Sequence, residues 1–129
     1  MYTEKLIEHF KHPRNVGEIP DADGIGTIGD PSCGDSIRVF IKVAEGRLSE
    51  IKFQVYGCPA AIATTSILTE IVLGKTLEEA IEITDQDIVD ALGGLPGPKI
   101  HCSNLGAEAL FYAVMDYRSR NGSRKEEEQ

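Results

Sequence analysis

The 129-residue sequence lacks long apolar runs and an excess of basic residues, and each absence excludes a class of protein. No stretch approaches the ~20 apolar residues of a transmembrane helix, and the N-terminal sequence resembles neither a signal peptide nor a transit peptide. The 13 lysines and arginines are outnumbered by 21 aspartates and glutamates, which gives a formal charge of −8 and argues against a nucleic-acid partner. We therefore expect a cytoplasmic protein that binds neither membrane nor nucleic acid.

The chain also lacks internal repeats, low-complexity tracts and interior linkers. Its length is that of one ordinary domain with its own hydrophobic core. We expect a single domain over residues 1–121 and a flexible acidic tail over residues 122–129, where three consecutive glutamates form a solvated charge run.

Cysteine is scarce, and the three that are present do not form a known local motif. An odd number cannot all pair internally, and three is too few for a disulfide-stapled secreted domain. No C-x-x-C occurs, so the chain contains neither a zinc ribbon nor a ferredoxin cluster loop. At least one thiol must be free, metal-bound or exchanging.

Two segments alternate between apolar and polar residues, which is typical of half-buried strands. Residues 36–43 place Ile37, Val39, Ile41 and Val43 on one face, and residues 48–56 repeat the pattern. The residues between these segments suit a hairpin connection, and residues 24–29 are a candidate third, edge strand.

The remaining periodic segments predict helices. The first would place Leu6, Ile7 and Phe10 on one face, and a longer one would begin at Pro59 and end at Gly74. Two short helices would follow the caps Thr76 and Thr84, and a C-terminal helix would start near Ser103 or Asn104 and end before Gly122. Strands followed by helices predict an α+β fold.

All three cysteines lie on predicted connections. Cys33 precedes a strand, Cys58 lies between a strand and a helix start, and Cys102 precedes the last helix. Helix N-termini favour the thiolate, which is the form of cysteine that binds metal or attacks sulfur. Gly34 and Gly57 adjoin two of the cysteines and would let the backbone approach a bulky ligand. A shared site would require these residues to converge through folding.

Three further residues are candidates because they lie beside these cysteines. Asp35 follows Cys33 by two positions, His101 adjoins Cys102, and Lys99 lies just before them. Taken singly, each has an ordinary structural interpretation: an aspartate that caps a turn, a structural histidine and a solvated lysine. The residues alone therefore leave open a metal-binding protein, such as one with structural zinc, and a thiol-redox enzyme.

The segments PSCGD, YGCPAAIA and KIHCS resemble the three cysteine motifs of the IscU/NifU-type iron–sulfur cluster assembly scaffolds, and the similarity extends from about His12 to Tyr117. The resemblance implies an IscU/SufE-like α+β sandwich in which a small three-stranded antiparallel sheet packs against helices. It also implies cluster ligation by Cys33, Cys58 and Cys102, with Asp35 and His101 bordering the site.

The resemblance further indicates the single-domain Isc type. The interval between Cys58 and Cys102 is short, whereas the related SufU group carries an insertion before its last cysteine, and no second cysteine-rich domain follows. The segment LPGPK over residues 95–99 departs from the LPPVK with which many members engage an Hsp70-type chaperone. Chaperone recognition is therefore not carried over to this chain.

The function implied is that of a scaffold and sulfur acceptor, not an enzyme. A cysteine desulfurase of the IscS type would deliver persulfide sulfur to Cys102, and Fe²⁺ would complete a labile [2Fe-2S] cluster destined for apo-proteins. We expect His101 to be the fourth ligand and Asp35 to be the alternative, because imidazole accommodates iron better than carboxylate does. Lys99 would help to hold anionic sulfur. The same thiolates can also bind Zn²⁺ in the isolated protein, so structural zinc binding is the alternative function.

Overall fold

The computed structural model describes residues 3–30, 35–57, 59–93 and 102–128. Within these residues, the chain forms three strands and five helices. In chain order they are α1 (Glu4–Lys11), β1 (Gly24–Asp30), β2 (Asp35–Ala44), β3 (Arg47–Tyr56), α2 (Pro59–Val72), α3 (Leu77–Ile81), α4 (Asp85–Ala91) and α5 (Cys102–Glu128). The predicted α+β class and the third strand are confirmed.

The strands form one antiparallel sheet in the order β1-β2-β3. Thr27 pairs with Arg38, and Arg38 pairs in turn with Gln54. The β2–β3 connection is a two-residue turn in which Glu45 and Gly46 have positive φ angles of 55° and 76°. Such turns match the twist of antiparallel strands, so the predicted hairpin is confirmed with a shorter connection.

The hydrophobic core lies on one face of this sheet, where the alternating residues of β2 and β3 meet α2 and α5. Ile37, Val39 and Ile41 are fully buried, as their alternation predicts. The helices contribute apolar residues that recur every three or four positions, as expected for helices with one buried face. The fully buried ones on α2 and α5 include Ala63, Leu68, Val72, Ala109, Leu110, Ala113 and Val114.

Side-chain caps define the starts of the two short helices. Thr76 accepts a hydrogen bond from the Glu79 amide at the start of α3, and Thr84 accepts one from the Asp87 amide at the start of α4. In both cases the acidic side chain bonds back to the amide of its cap. Both predicted caps are confirmed, and each satisfies two amides that a helix start leaves without intrahelical partners.

The long helix α5 differs from its prediction at the C-terminal end. It continues through Gly122 to Glu128, so the expected end before Gly122 is wrong. A glycine inside an exposed helix costs only about 1 kcal/mol, and the arginine, lysine and glutamates that follow are good helix formers. No helix in the described ranges is both long enough and apolar enough to cross a membrane.

The buried face of α1 also differs from its prediction. Leu6 is fully buried as expected, but Ile7 and Phe10 are 37% and 39% exposed. His9 takes the second buried position and is only 3% exposed. The apolar residues of α1 therefore do not by themselves identify its buried face, because polar side chains on α2 form hydrogen bonds with the buried His9 ring.

The His9 ring lies in a hydrogen-bonded cluster between α1 and α2. Its Nδ1 lies 2.8 Å from Ser66 Oγ, which also accepts the Arg14 amide at 2.9 Å. Its Nε2 lies 3.3 Å from Glu70 Oε1. A neutral ring satisfies this geometry if Ser66 donates to Nδ1 and Nε2–H donates to Glu70. Burial, reinforced by the nearby Arg14 guanidinium, lowers the pKa of His9 below 6.5, although the Glu70 carboxylate opposes the shift.

We expect stability to fall as the pH decreases below about 6.5. A lowered pKa in the folded state means that the unfolded chain takes up the His9 proton first. This contribution is therefore complete above the unfolded pKa and is lost as the pH falls towards the folded pKa. Urea unfolding of the wild type and His9→Gln between about pH 8 and pH 5 should show the steeper pH dependence in the wild type. Equal slopes would contradict the assignment.

Candidate functional site

The end of β1, the start of β2 and the end of β3 lie together at one end of the sheet. Asp30, the last residue of β1, pairs with Asp35, the first residue of β2. The adjacent Ser36 pairs with Tyr56, the last residue of β3. This end of the sheet therefore adjoins both the β1–β2 connection and the segment that follows β3.

Helix α2 begins at the same end of the sheet. Its first residue, Pro59, comes three positions after Tyr56. At the other end of α2, the Gly74 amide donates to the Leu48 carbonyl at 2.9 Å, and the Leu48 amide donates to the Lys75 carbonyl at 2.9 Å. Because Leu48 lies at the start of β3, α2 runs back along β3 and its N-terminus lies beside the Tyr56 end.

Helix α5 runs antiparallel to β1, so its N-terminus also points to this end of the sheet. Gly24 lies against Ala113 and Tyr117, whereas Gly26 lies against Ala109 and Ala113. From Ala109, the helix extends about 10 Å back to its first residue, and β1 extends about 13 Å from Gly26 to its last. The start of α5 and the end of β1 therefore lie at a similar level.

Small residues hold the first turns of α2 and α5 close together. A Cβ added at Gly106 would lie 3.0 Å from Thr65 Oγ1 and 3.3 Å from Leu68 Cδ2. The Thr65 hydroxyl is fully buried and donates to the Ala61 carbonyl at 2.8 Å. These contacts bring together the helices that follow Cys58 and begin at Cys102.

The backbone places two of the candidate residues directly at this convergence. Asp35 is the first residue of β2, and Cys102 is the first residue of α5. The other candidates, Cys33, Cys58, Lys99 and His101, lie outside the described residues. In the sequence, Cys33 belongs to the β1–β2 connection and Cys58 immediately precedes α2. The described elements that flank all three cysteines thus meet at one end of the molecule, which we call the cysteine-bearing end.

A polar groove on the outer face of the sheet adjoins this end. The sequence did not predict it as part of a site. It has a volume of about 240 Å³ and is lined by Thr27, Ser36, Arg38, Gln54 and Tyr56. Arg38 Nε donates to Thr27 Oγ1 at 3.3 Å, and Tyr56 is 80% exposed. The alternation of the strands placed Ser36, Arg38 and Gln54 on the outer face, but only the pairing of all three strands brings them together.

Comparison with solved structures shows the fold first. A scaffold protein for the SUF system from Fervidobacterium islandicum AW-1 superposes with a TM-score of 0.73 at 22% identity, over 88% of this chain and 96% of that chain. A NifU-like N-terminal domain from Brucella abortus gives 0.74 at 15% identity, over 91% and 94% of the two chains. The chain therefore has the fold of NifU-like domains.

Sequence comparison then shows the family. Residues 1–124 match the family described as the NifU-like N terminal domain. The iron–sulfur cluster assembly scaffold protein IscU 1 of Archaeoglobus fulgidus is 56% identical over 122 residues, which are 95% of this chain and 80% of that protein. IscU of Escherichia coli is 46% identical, over 92% of this chain and 95% of that protein. The chain belongs to the IscU/NifU-type scaffold family, as its three cysteine motifs predicted.

Proposed function

We propose that this protein is a scaffold on which an iron–sulfur cluster is assembled de novo and then passed to apo-proteins. Its membership of the scaffold family supports this function. The structural observation that carries the proposal is the convergence of the ends of β1 and β3 with the starts of β2, α2 and α5. These ends flank every cysteine in the chain.

The cluster would be held by the thiolates of Cys33, Cys58 and Cys102. Thiolate sulfur is a soft ligand that suits iron in clusters. Three thiolates leave one coordination position open, and such incomplete ligation suits a cluster that must leave again. We propose His101 as the fourth ligand, with Asp35 as a transient alternative whose hard oxygen keeps the cluster labile.

Sulfur would arrive as a persulfide from a cysteine desulfurase. The Cys102 thiolate attacks the outer sulfur of the desulfurase persulfide, forms a new S–S bond and releases the desulfurase cysteine as a thiolate. The start of a helix suits this role, because the unpaired amides there favour the thiolate.

A [2Fe-2S] cluster requires two sulfide ions, and reducing two sulfane sulfurs to sulfide consumes four electrons. Oxidation of two Fe²⁺ to Fe³⁺ supplies two of these electrons. An external electron donor must supply the other two. The protein acts in this scheme as a template and sulfur acceptor.

Anaerobic reconstitution with Fe²⁺, cysteine and a desulfurase tests the proposed function. We expect visible sulfur-to-iron absorption, a Mössbauer spectrum of a [2Fe-2S] cluster with unequal iron ligation, and transfer of that cluster to an apo-ferredoxin. A colourless protein that retains zinc tightly would instead favour the structural zinc alternative, which uses the same cysteines with Asp35 or His101. Zinc in freshly purified protein would not decide the question, because thiolate sites also bind Zn²⁺.

Asp35→Ala is expected to retain the assembled cluster longer than the wild type. The substitution removes a hard carboxylate oxygen that would compete with a softer ligand for iron. The decay of visible absorption in the presence of a chelator measures the lifetime. Asp21→Ala is the matched control, since Asp21 is exposed and pairs with Lys42 near the opposite end of β2. Unchanged or faster loss of the cluster in Asp35→Ala would remove the proposed role.

Lys99→Ala is expected to slow persulfide transfer from the desulfurase, because the variant lacks a cation that would stabilise anionic sulfur. Mass spectrometry at short reaction times measures the persulfide on this protein. Lys75→Ala is the matched control, since Lys75 lies beside Leu48 at the start of β3. Undiminished transfer in Lys99→Ala would eliminate this role.

A further inference from the structure

A second groove lies between α5 and the connection from α3 to α4. It has a volume of about 360 Å³. Ile81 and Ile83 line one side, and α5 lines the other with Ala107, Phe111 and Tyr112. The two aromatic side chains are 42% and 49% exposed, and their rings meet edge to face with centroids 5.9 Å apart. Exposed aromatic residues beside a concave apolar surface are typical of interaction sites.

The border of this groove is acidic. Glu108 lines it directly, and Glu82 is exposed between the two lining isoleucines. The Asp87 carboxylate accepts a hydrogen bond from the amide of the lining residue Thr84 at 2.9 Å. The sequence from residue 76 to residue 98 contains six acidic residues and no lysine, arginine or histidine. Arg118 of α5 is paired with Glu78 of α3 at 3.4 Å.

The charge and shape of the groove together select one kind of occupant. An acidic border repels anionic lipid headgroups and nucleic acid, whereas it attracts lysine and arginine. One wall is α5, whose backbone groups are bonded internally. On the other wall, the amides of Ile83 and Thr84 already donate to the Ala80 carbonyl and the Asp87 carboxylate, so these amides cannot pair with an extended peptide. A helix satisfies its own backbone and can place an apolar stripe on the groove floor while its flanking cations meet the border.

We propose that this groove binds a basic amphipathic helix of a partner protein. Phe111 and Tyr112 provide the apolar contact surface, and Glu82, Asp87 and Glu108 provide the charge complementarity. The proposal does not depend on cluster assembly, because no residue of the groove belongs to the proposed cluster site.

A synthetic peptide tests the proposal with the intact protein. The probe is a fluorescein-labelled helix of ~16 residues with leucines at i, i+3, i+4 and i+7 and lysines beside this stripe. We expect saturable binding by fluorescence anisotropy that weakens as salt is raised. Two control peptides, one with glutamate for lysine and one with serine for leucine, should each bind at least about tenfold more weakly. Equal binding of either control would overturn the proposal.

Matched variants locate the site of binding. Phe111→Ala and Glu108→Lys should each weaken binding of the lysine peptide by about tenfold or more. Phe10→Ala removes a similarly exposed phenylalanine from α1, and Glu18→Lys makes the same charge change in an exposed loop, so both should bind as the wild type does. Equal effects of the groove variants and their controls would overturn the proposal.

Nuclear magnetic resonance of the wild type provides a test that needs no variant. The lysine peptide should shift the amide signals of Ile83, Ala107 and Phe111 before those of α1 or the sheet. Shifts centred elsewhere would contradict the proposal. Sedimentation of the free protein provides the last test: a dimer that Phe111→Ala converts to monomer would show that a second copy occupies the groove, and would overturn the assignment to a different partner.

Discussion

Replacing Gly26 with alanine is expected to lower the free energy of unfolding by about 3 kcal/mol or more, because the new Cβ has no space. An ideal Cβ at this position would overlap the Ala109 carbonyl oxygen and the Ala113 amide nitrogen, both well within 3.0 Å. These are backbone atoms of a helix and cannot rotate away as a flexible side chain could. Helix α5 would have to move away from β1, which would disrupt the packing that directs the start of α5 to the cysteine-bearing end.

Urea unfolding followed by circular dichroism measures this effect. Gly106→Ala is a matched control at another α5 contact, where the added Cβ would meet the side chains of Thr65 and Leu68. These side chains would need to give by only a few tenths of an ångström, and alanine gains about 1 kcal/mol of helix propensity over glycine, so we expect a change within about 1 kcal/mol. A similarly small loss in Gly26→Ala would show that α5 is not held as closely to β1 as the structure indicates.

Cys102→Ser is expected to abolish sulfur acceptance from the desulfurase. A hydroxyl oxygen cannot replace the thiolate that attacks the persulfide and then carries the added sulfur. Because the substitution changes one atom at the start of α5, the loss should occur without unfolding. Mass spectrometry of the anaerobic reaction mixture should show the mass of one added sulfur on the wild type and none on the variant.

The other two cysteines provide the control for this prediction. Cys33→Ser and Cys58→Ser should still accept persulfide sulfur but should fail to hold the cluster, since each removes one proposed ligand and leaves Cys102 in place. A persulfide at normal yield on Cys102→Ser, together with its loss from Cys33→Ser or Cys58→Ser, would transfer the acceptor role to another cysteine. Because it leaves the family membership untouched, this outcome would be distinct from a failure of the scaffold function.

Much of the fold could be predicted from residues that are close in the sequence. The alternation of Ile37, Val39 and Ile41 predicted a strand and its buried face, and the caps Thr76 and Thr84 predicted two helix starts. These signals depend on the repeat of a strand or helix and on hydrogen bonds within three residues, so they need no knowledge of the partner element. The three cysteine motifs predicted the family in the same way, as short patterns in a fixed order.

The tertiary structure alone decided which surfaces meet. Polarity predicted that Ile7 and Phe10 would be buried, yet His9 is buried because Ser66 and Glu70 on α2 can bond both ring nitrogens. Neither the close approach of α5 at Gly26 nor the acidic groove beside Phe111 follows a sequence period. By itself, the sequence determined the family, the strands and the helix starts, because these features depend on residues that are close together in the sequence. Burial and grooves were decided only when elements distant in the sequence packed together, because each depends on the shape and charge of the opposing surface.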